Sequence, residues 1–218
     1  MYRKGLLLAL FTGLFSMIIF AQGTFSESRP NFLVIMTDDQ GKWALGQYDS
    51  RIRTPNVDYL AENGVRFDEA IAPVPVCSPA RASFFTGKTP SQHGVHDFLS
   101  TSDSTQHNWL EDEKLISEEL SEKGYSVGLF GKWHADTREW VHREEFDEFL
   151  TYDEREPGWI NQYLHSGTVH FSRNGVPETY TGIQARFLTE NAIRFIDRAR
   201  ERPFAAFLML TQPHFPFS

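Results

Sequence analysis

The chain has 218 residues, of which 40% are hydrophobic and 23% are charged. These fractions are those of an ordinary globular protein and argue against a disordered chain, a collagen or a coiled coil. The formal net charge of −8 gives no overall attraction for nucleic acid. The single cysteine excludes an intrachain disulfide and a zinc site built from several cysteines.

The N-terminal residues have the pattern of a secretory signal peptide. A basic start precedes an uncharged apolar run over residues 6–20, and the small residues Ala21 and Gly23 follow it. The run is shorter than the roughly 20 residues of a membrane span, which favours cleavage over an anchor. We therefore expect residues 1–23 to be removed, and the mature chain to lack a stable membrane span. Its expected location is the periplasm, the cell surface or the medium.

Alternating strand and helix patterns follow. The apolar run over residues 31–37 predicts a strand buried on both faces. Thr54 and Pro55 mark the start of a helix that ends at Asn63 and Gly64, and residues 65–72 predict a less buried strand. The later predicted elements are a helix over 114–123, a strand over 125–130, a helix over 180–202 with an apolar stripe of Leu188, Ala192, Phe195 and Ala199, and a strand over 204–210.

This order predicts an α/β fold with a largely parallel central sheet flanked by helices. Residues 100–106 predict a polar loop, and residues 147–174 predict an irregular segment, an excursion over the site. The remainder of the chain, residues 24–218, is expected to form one domain or part of one.

Polar side chains follow three of the predicted strands. Asp38 and Asp39 come after the first, Lys132 and His134 after the strand over 125–130, and His214 after the last. Ligands of open α/β sheets bind beyond the carboxyl ends of the strands, so these residues are expected to converge on one crevice. Taken singly, each has an ordinary explanation as a turn, a cap or a surface loop.

The segment around the cysteine has the most distinctive pattern. Pro79 fits the first turn of a helix, which would place Cys77 at the positive end of that helix, where an anion is stabilised. Arg81 lies one turn further along the same face and can hold an anion or the nucleophile. The sequence therefore predicts a nucleophile at an anion site, with the two aspartates free to bring a divalent cation beside it.

Residues 77–81, Cys-Ser-Pro-Ala-Arg, with the following Phe-Phe-Thr-Gly, resemble the Cys-x-Pro-x-Arg signature of the type I sulfatases. Residues 124–134 resemble the second signature of that family, except that Val127 stands where Ser or Thr is usual, and Ala135-Asp136 replaces the common Leu-Gly. Asp38-Asp39-Gln40 is similar to the first metal-binding pair, and residues 212–216 are similar to its histidine loop. The resemblance covers residues 29–218 and implies an alkaline phosphatase-like fold.

The resemblance implies a mechanism for sulfate ester hydrolysis. Cys77 would be converted by a formylglycine-generating or equivalent maturation enzyme, and the aldehyde hydrate would attack sulfur. Asp38, Asp39 and residue 77 would hold Ca²⁺ or Mg²⁺, while Arg81 and Lys132 would neutralise the developing charge. His134 would accept a proton from the hydrate, and His214 would protonate the leaving oxygen. The implied substrate is a sulfated small molecule or polysaccharide.

Members of the family continue beyond the point that corresponds to Ser218, where further metal ligands and a sulfate-binding lysine are expected. The chain is therefore expected to be an N-terminal portion of a sulfatase, incomplete at its C-terminus, with weak or no activity of its own. Two alternatives stay open: a phosphodiesterase or phosphonate monoester hydrolase that uses the same modified cysteine, and an inactive fragment that carries no aldehyde at residue 77. His93 and His96 are expected to be structural.

Overall fold

The computed structural model describes residues 29–100, 107–137, 141, 143–153, 155 and 163–215. The chain divides into two compact units, Met1–Pro30 and Asn31–Ser218, and every element below belongs to the second. The predicted signal peptide and nearly all of the predicted polar loop 100–106 lie outside the described residues. No helix in the described part of the chain is both long and apolar enough to cross a membrane.

Six strands and five α-helices form within these residues. In chain order they are β1 Phe32–Met36, α1 Pro55–Asn63, α2 Cys77–Thr86, α3 Pro90–His93, α4 Ile116–Glu122, β2 Ser126–Gly131, β3 Glu148–Tyr152, β4 Ser166–Arg173, β5 Val176–Ile183, α5 Gln184–Arg198 and β6 Phe204–Met209. A short 3₁₀ helix covers Lys42–Ala44. The predicted helices after Thr54 and after Lys114 and the predicted strands before Lys132 and after Pro203 are confirmed, with ends shifted by one or two residues.

The strands make one sheet with the spatial order β1-β6-β2-β3-β4-β5. The first four are parallel to their neighbours, while β4 pairs antiparallel with β3 and with β5. The predicted parallel sheet is therefore confirmed for the half that carries the site. Because β6 lies between β1 and β2, the three strands that precede the polar clusters are adjacent in space.

Apolar side chains cover both faces of this sheet. Along β2, Val127 and Leu129 join the cluster formed with α2 and α4, whereas Phe130 joins the cluster formed with α5 on the opposite face. The predicted stripe of α5 is confirmed, since Leu188 and its three partners are all buried. Burial of one large apolar side chain stabilises the fold by about 1.5–3 kcal/mol. The central strands, which carry many such side chains, therefore form a stable support for the residues that follow them.

Two predictions for the N-terminal half are wrong. β1 is not buried on both faces, because it forms the edge of the described sheet and Leu33 and Ile35 are more than half exposed. Residues 65–72 form no strand but an irregular segment, although Val65, Phe67 and Ile71 have the side chains of one. Strand propensity depends on a neighbouring strand, and this segment has none among the described residues.

Two predictions for the middle of the chain are also wrong. The helix predicted over 180–202 begins only at Gln184, because residues 176–183 form β5 in a hairpin with β4. The turn of the hairpin is Asn174-Gly175, and both residues have positive φ angles, of 50° and 82°. The segment 147–174 is not irregular throughout, since it contains β3, whose five residues are all buried, and β4.

Candidate active site

The side chains that follow β1, β6 and β2 meet at the carboxyl end of the sheet. Lys132 Nζ lies 2.8 Å from Asp38 Oδ2, and His214 Nε2 lies 3.4 Å from Asp39 Oδ2. The predicted convergence of the strand ends is therefore present, although the residues are up to 176 positions apart in the chain. Gly131 makes the turn into this cluster possible, because its φ of 116° lets the next amide, that of Lys132, donate to Met209 O at 2.8 Å.

Three buried charges form the centre of the cluster. Asp38, Arg81 and Lys132 are almost inaccessible to solvent, and Arg81 Nη2 lies 3.7 Å from the Asp38 carboxylate. Arg81 Nη1 also donates to the carbonyl oxygen of Lys132 at 2.6 Å. Burial alone would raise the pKa of Asp38, but the charges of Arg81 and Lys132 outweigh it and lower this pKa below its ordinary value. The carboxylate therefore stays ionised and fixes both cations.

Cys77 is the first residue of α2, as the position of Pro79 predicted. It is half-buried and lines a cleft of about 830 Å³ together with Asp38, Asp39 and Arg81. Burial raises the pKa of the Cys77 thiol, and the negative charge of Asp38 adds to this shift, although Lys132 and Arg81 oppose it. The thiol is therefore protonated at neutral pH and is a poor nucleophile in this form.

His134 is buried and keeps one ring nitrogen without a partner. Its Nε2 donates to the carbonyl oxygen of Leu99 at 2.9 Å, while Nδ1 has no hydrogen-bond partner in the described part of the chain. Burial, together with the charges of Lys132 and Arg81, lowers the pKa of His134 to about 3. The ring is consequently neutral at physiological pH, and a pKa this low makes it a weak base while the neighbouring cations are not offset by an anion.

His214 lies against an aromatic ring that the sequence did not identify. Tyr163 stacks on His214 with ring centroids 4.5 Å apart, and the Lys132 ammonium lies 5.2 Å from the centre of the same tyrosine ring. His214 Nδ1 donates to Phe215 O at 2.6 Å, which leaves Nε2 directed at Asp39. Tyr163 belongs to the segment predicted to cross over the site, which was the one sequence signal for it.

A second residue missed by the sequence analysis fixes the loop after β6. Gln184 is completely buried, and its Oε1 accepts hydrogen bonds from Tyr152 Oη at 2.8 Å, Thr211 Oγ1 at 2.8 Å and Gln212 Nε2 at 3.1 Å. Its Nε2 donates to Leu164 O at 3.1 Å. Gln184 therefore connects the loop that carries His214 to the segment before β4. A glutamine at the start of a helix carries no sequence signal for such a role.

His93, expected to be structural, is buried between α2 and the residues that follow it. Its Nε2 lies 3.0 Å from Ser83 Oγ, and its Nδ1 accepts the Val95 amide at 3.1 Å. Both ring nitrogens are thus used in packing the chain, and burial lowers the pKa of His93. His96, by contrast, is exposed.

Asp38 and Asp39 are the residues best suited to a divalent cation. Their carboxylates line the same cleft and are oxygen donors of the kind that Ca²⁺ and Mg²⁺ prefer. The unmodified thiol of Cys77 is not, because sulfur suits softer metals. No group of three or more His, Cys, Asp and Glu side chains among the described residues is arranged to hold an ion. The donors therefore fit a hard cation in kind but supply fewer oxygens than the roughly six to eight of Ca²⁺.

Comparison with known proteins identifies relatives of one kind. The family model "Sulfatase" matches residues 30–218. Human arylsulfatase D is 39% identical over 123 residues, which are 51% of this chain and 20% of that protein. The ulvan-active sulfatase of Formosa agariphila is 32% identical over 200 residues, 87% of this chain and 36% of that protein. The solved structure of BT4656 with its substrate D-glucosamine-2-N,6-O-disulfate has a TM-score of 0.71 at 28% identity and covers 85% of this chain and 35% of its own. The chain thus spans between a fifth and two fifths of the length of these proteins.

Proposed function

Because this chain belongs to the sulfatase family, we propose that it is the N-terminal part of an enzyme that hydrolyses the sulfate esters of a saccharide. The observation that carries the proposal is the arrangement of Cys77 at the start of α2 beside Arg81, Lys132 and Asp38. Two of the matched proteins are described as acting on ulvan and on a glucosamine disulfate, which supports a sulfated sugar as the substrate class.

Arg81 and Lys132 are the groups that would bind the sulfate. Both are fully buried and positively charged, and Asp38 holds them in fixed positions. Fixed cations in a site shielded from water stabilise negative charge that develops on sulfate oxygens without first having to reorganise. The N-terminus of α2 adds a partial positive charge on the same side.

Cys77 is proposed to act as formylglycine and not as a thiol. The raised pKa of its thiol makes the unmodified residue a weak nucleophile at neutral pH, so modification would be required for chemistry at this position. Formylglycine supplies an aldehyde whose hydrated form offers an oxygen to sulfur in place of the protonated thiol. A formylglycine-generating or equivalent enzyme is the implied maturation partner.

His134 and His214 are proposed to move protons at the site. His134 would accept a proton at Nδ1, the nitrogen that lacks a partner among the described residues, once the negative charge of a bound sulfate offsets the charges of Lys132 and Arg81 that lower its pKa. His214 would donate from Nε2, which faces Asp39, because Nδ1 is committed to Phe215 O. Tyr163 would keep the His214 ring in this orientation by stacking.

Asp38 and Asp39 are the residues that would hold Ca²⁺ or Mg²⁺. Such an ion supplies positive charge that polarises a sulfate oxygen. Asp38 would hold the ion while its Oδ2 stays bonded to Lys132, and the exposed Asp39 would supply the second carboxylate.

The test is mass spectrometry of the peptide that contains residue 77, after coexpression with a formylglycine-generating enzyme. We expect the mass loss of thiol-to-aldehyde conversion in the wild type and its absence in Cys77→Ala. The converted chain is then assayed with an aryl sulfate and with the matched phosphate diester. Preference for the diester would replace the proposed reaction by the alternative one, and an unconverted cysteine would overturn the proposal.

A further inference from the structure

Three consecutive exposed side chains stand between two buried ones next to the site. His96, Asp97 and Phe98, here called the rim loop, are exposed, whereas Val95 and Leu99 on either side are buried. Phe98 leaves 46% of its surface accessible. Binding residues concentrate on loops held by a rigid scaffold, so a partly exposed aromatic side chain next to the site is available to contact a ligand.

The rim loop is held in place by the site itself. The Leu99 amide donates to Ser78 Oγ at 3.0 Å, and the Leu99 carbonyl oxygen accepts from His134 at 2.9 Å. Ser78 directly follows Cys77 in α2. At the other end, the Val95 amide donates to His93. The loop is therefore anchored at both ends by hydrogen bonds to buried groups.

Within the rim loop, the Phe98 ring contacts the site directly. Its centroid lies 4.7 Å from that of His134, in an edge-to-face arrangement of 76°. The Asp97 carboxylate accepts a hydrogen bond from the Phe98 backbone amide at 2.7 Å, which fixes the orientation of the carboxylate. His96 supplies an imidazole on the same exposed stretch. The rim loop thus carries an aromatic ring, a carboxylate and an imidazole on three consecutive exposed residues, and its Phe98 contacts the cluster that contains His134.

This combination suits one ligand chemistry. A pyranose ring has an apolar face of C–H groups and a circumference of hydroxyl groups, which match an aromatic ring and a hydrogen-bond acceptor respectively. A second anion beside the site would be repelled by the Asp97 carboxylate. The rim loop therefore favours a sugar ring that carries neutral hydroxyl groups over a ring that carries further phosphate or sulfate groups.

We propose that the rim loop contacts the sugar ring that carries the sulfate ester, with the C–H face of the sugar on Phe98 and hydroxyl groups bonded to Asp97 and His96. This inference rests on the proposed function and adds to it the residues that select a saccharide. It gives Phe98 a role in binding the sugar and none in holding the sulfate group.

The experiment compares the binding of glucose 6-sulfate, whose ring carries hydroxyl groups and no charge besides the ester, and of inorganic sulfate to the chain by ligand-observed NMR titration. The variants are Phe98→Ala, Phe98→Trp and, as a matched control on another exposed phenylalanine, Phe67→Ala. We expect Phe98→Ala to weaken binding of the sugar sulfate about fivefold to tenfold, the scale of one aromatic contact, while inorganic sulfate binds unchanged. Phe98→Trp should retain sugar binding, and Phe67→Ala should match the wild type.

Each other outcome counts against the inference in a recognisable way. If the sugar sulfate binds all variants equally, the rim loop is not a sugar contact although the proposed function stands. If Phe98→Ala weakens inorganic sulfate as much as the sugar sulfate, Phe98 acts through His134 and not on the sugar. If the wild type binds neither ligand, the proposed function fails and the inference fails with it.

Discussion

Replacing Gln184 by leucine removes the acceptor that connects the loop after β6 to the rest of the fold. Leucine is similar in size, so the packing of this buried position is largely kept while every hydrogen bond of the side chain is lost. In the wild type, Gln184 Oε1 accepts from Tyr152, Thr211 and Gln212, and Nε2 donates to Leu164. The predicted effect is therefore a loss of hydrogen bonding with little change in volume.

The loss of unfolding free energy in Gln184→Leu depends on which of the four former hydrogen-bond partners find a new one. Tyr152 Oη lies 3.4 Å from Thr211 Oγ1, so one of these hydroxyls can donate to the other. The half-buried Gln212 amide can turn to water. One buried hydroxyl and the Leu164 carbonyl then lose their partners, and at roughly 1–3 kcal/mol for each such group the variant should lose about 3 kcal/mol of unfolding free energy.

The assay is urea unfolding of the wild type, Gln184→Leu, Tyr152→Phe and the double variant. Tyr152→Phe alone should cost about 1 kcal/mol, because it deletes one donor and leaves the others bonded. Because Tyr152 and Gln184 are directly hydrogen-bonded, the combined loss should differ from the sum of the single losses by about 1 kcal/mol. Additive losses, or a Gln184→Leu variant no less stable than Tyr152→Phe, would refute the assignment of Gln184 as the shared acceptor.

Three further predictions concern the residues around β2. His134 has a pKa of about 3 in the fold against an ordinary 6.5, so protonation favours the unfolded chain and stability falls as the pH drops below 6.5. In the wild type, the unfolding free energy from urea unfolding should fall by about 1.4 kcal/mol per pH unit between roughly pH 5.5 and 4 because of His134. His134→Asn should remove this dependence on pH, and an unchanged dependence would contradict the prediction. Lys132→Met should lower the unfolding free energy by about 3–5 kcal/mol in the same assay at pH 7, because it leaves the buried Asp38 carboxylate with Arg81 as its remaining cation among the described residues. A loss below about 1 kcal/mol would be incompatible with a buried ion pair. Gly131→Ala should lower the thermal unfolding midpoint by several degrees, because φ at this position is positive and an added Cβ would overlap Met209 O. An unaltered midpoint would argue against the close approach of residue 131 to Met209 O.

Local signals in the sequence predict the site strands and the helix that carries Cys77. Pro79 in the first turn of α2 and the apolar runs before Lys132 and after Pro203 each determine an element from a few neighbouring residues. The rule that ligands bind beyond the carboxyl ends of parallel strands then places Asp38 and Lys132 in one crevice. The ion pair between them follows from strand order, which no local pattern encodes.

The wrong predictions have local causes of their own. Asn174-Gly175 is the strongest short hairpin signal and indicates the hairpin of β4 and β5, whereas the apolar stripe of α5 favours a helix that begins too early, at residue 180. The segment 65–72 has strand-like composition without a strand partner in the described sheet. Gln184 acts only through tertiary contacts, so a single sequence gives no reason to select it, and for Tyr163 the sequence indicates only the segment to which it belongs.

The position of β6 between β1 and β2 has a consequence for the order of events during biosynthesis. The ribosome makes α2 more than a hundred residues before β6, yet Asp38 and Lys132 follow β1 and β2, two strands that β6 brings together. Until β6 inserts, the long-range pairing that closes the crevice cannot form, and such non-local pairing is slow. The maturation enzyme proposed for Cys77 would therefore have an interval in which its target is still an open peptide, and β6, the last strand made among the described residues, would end this interval.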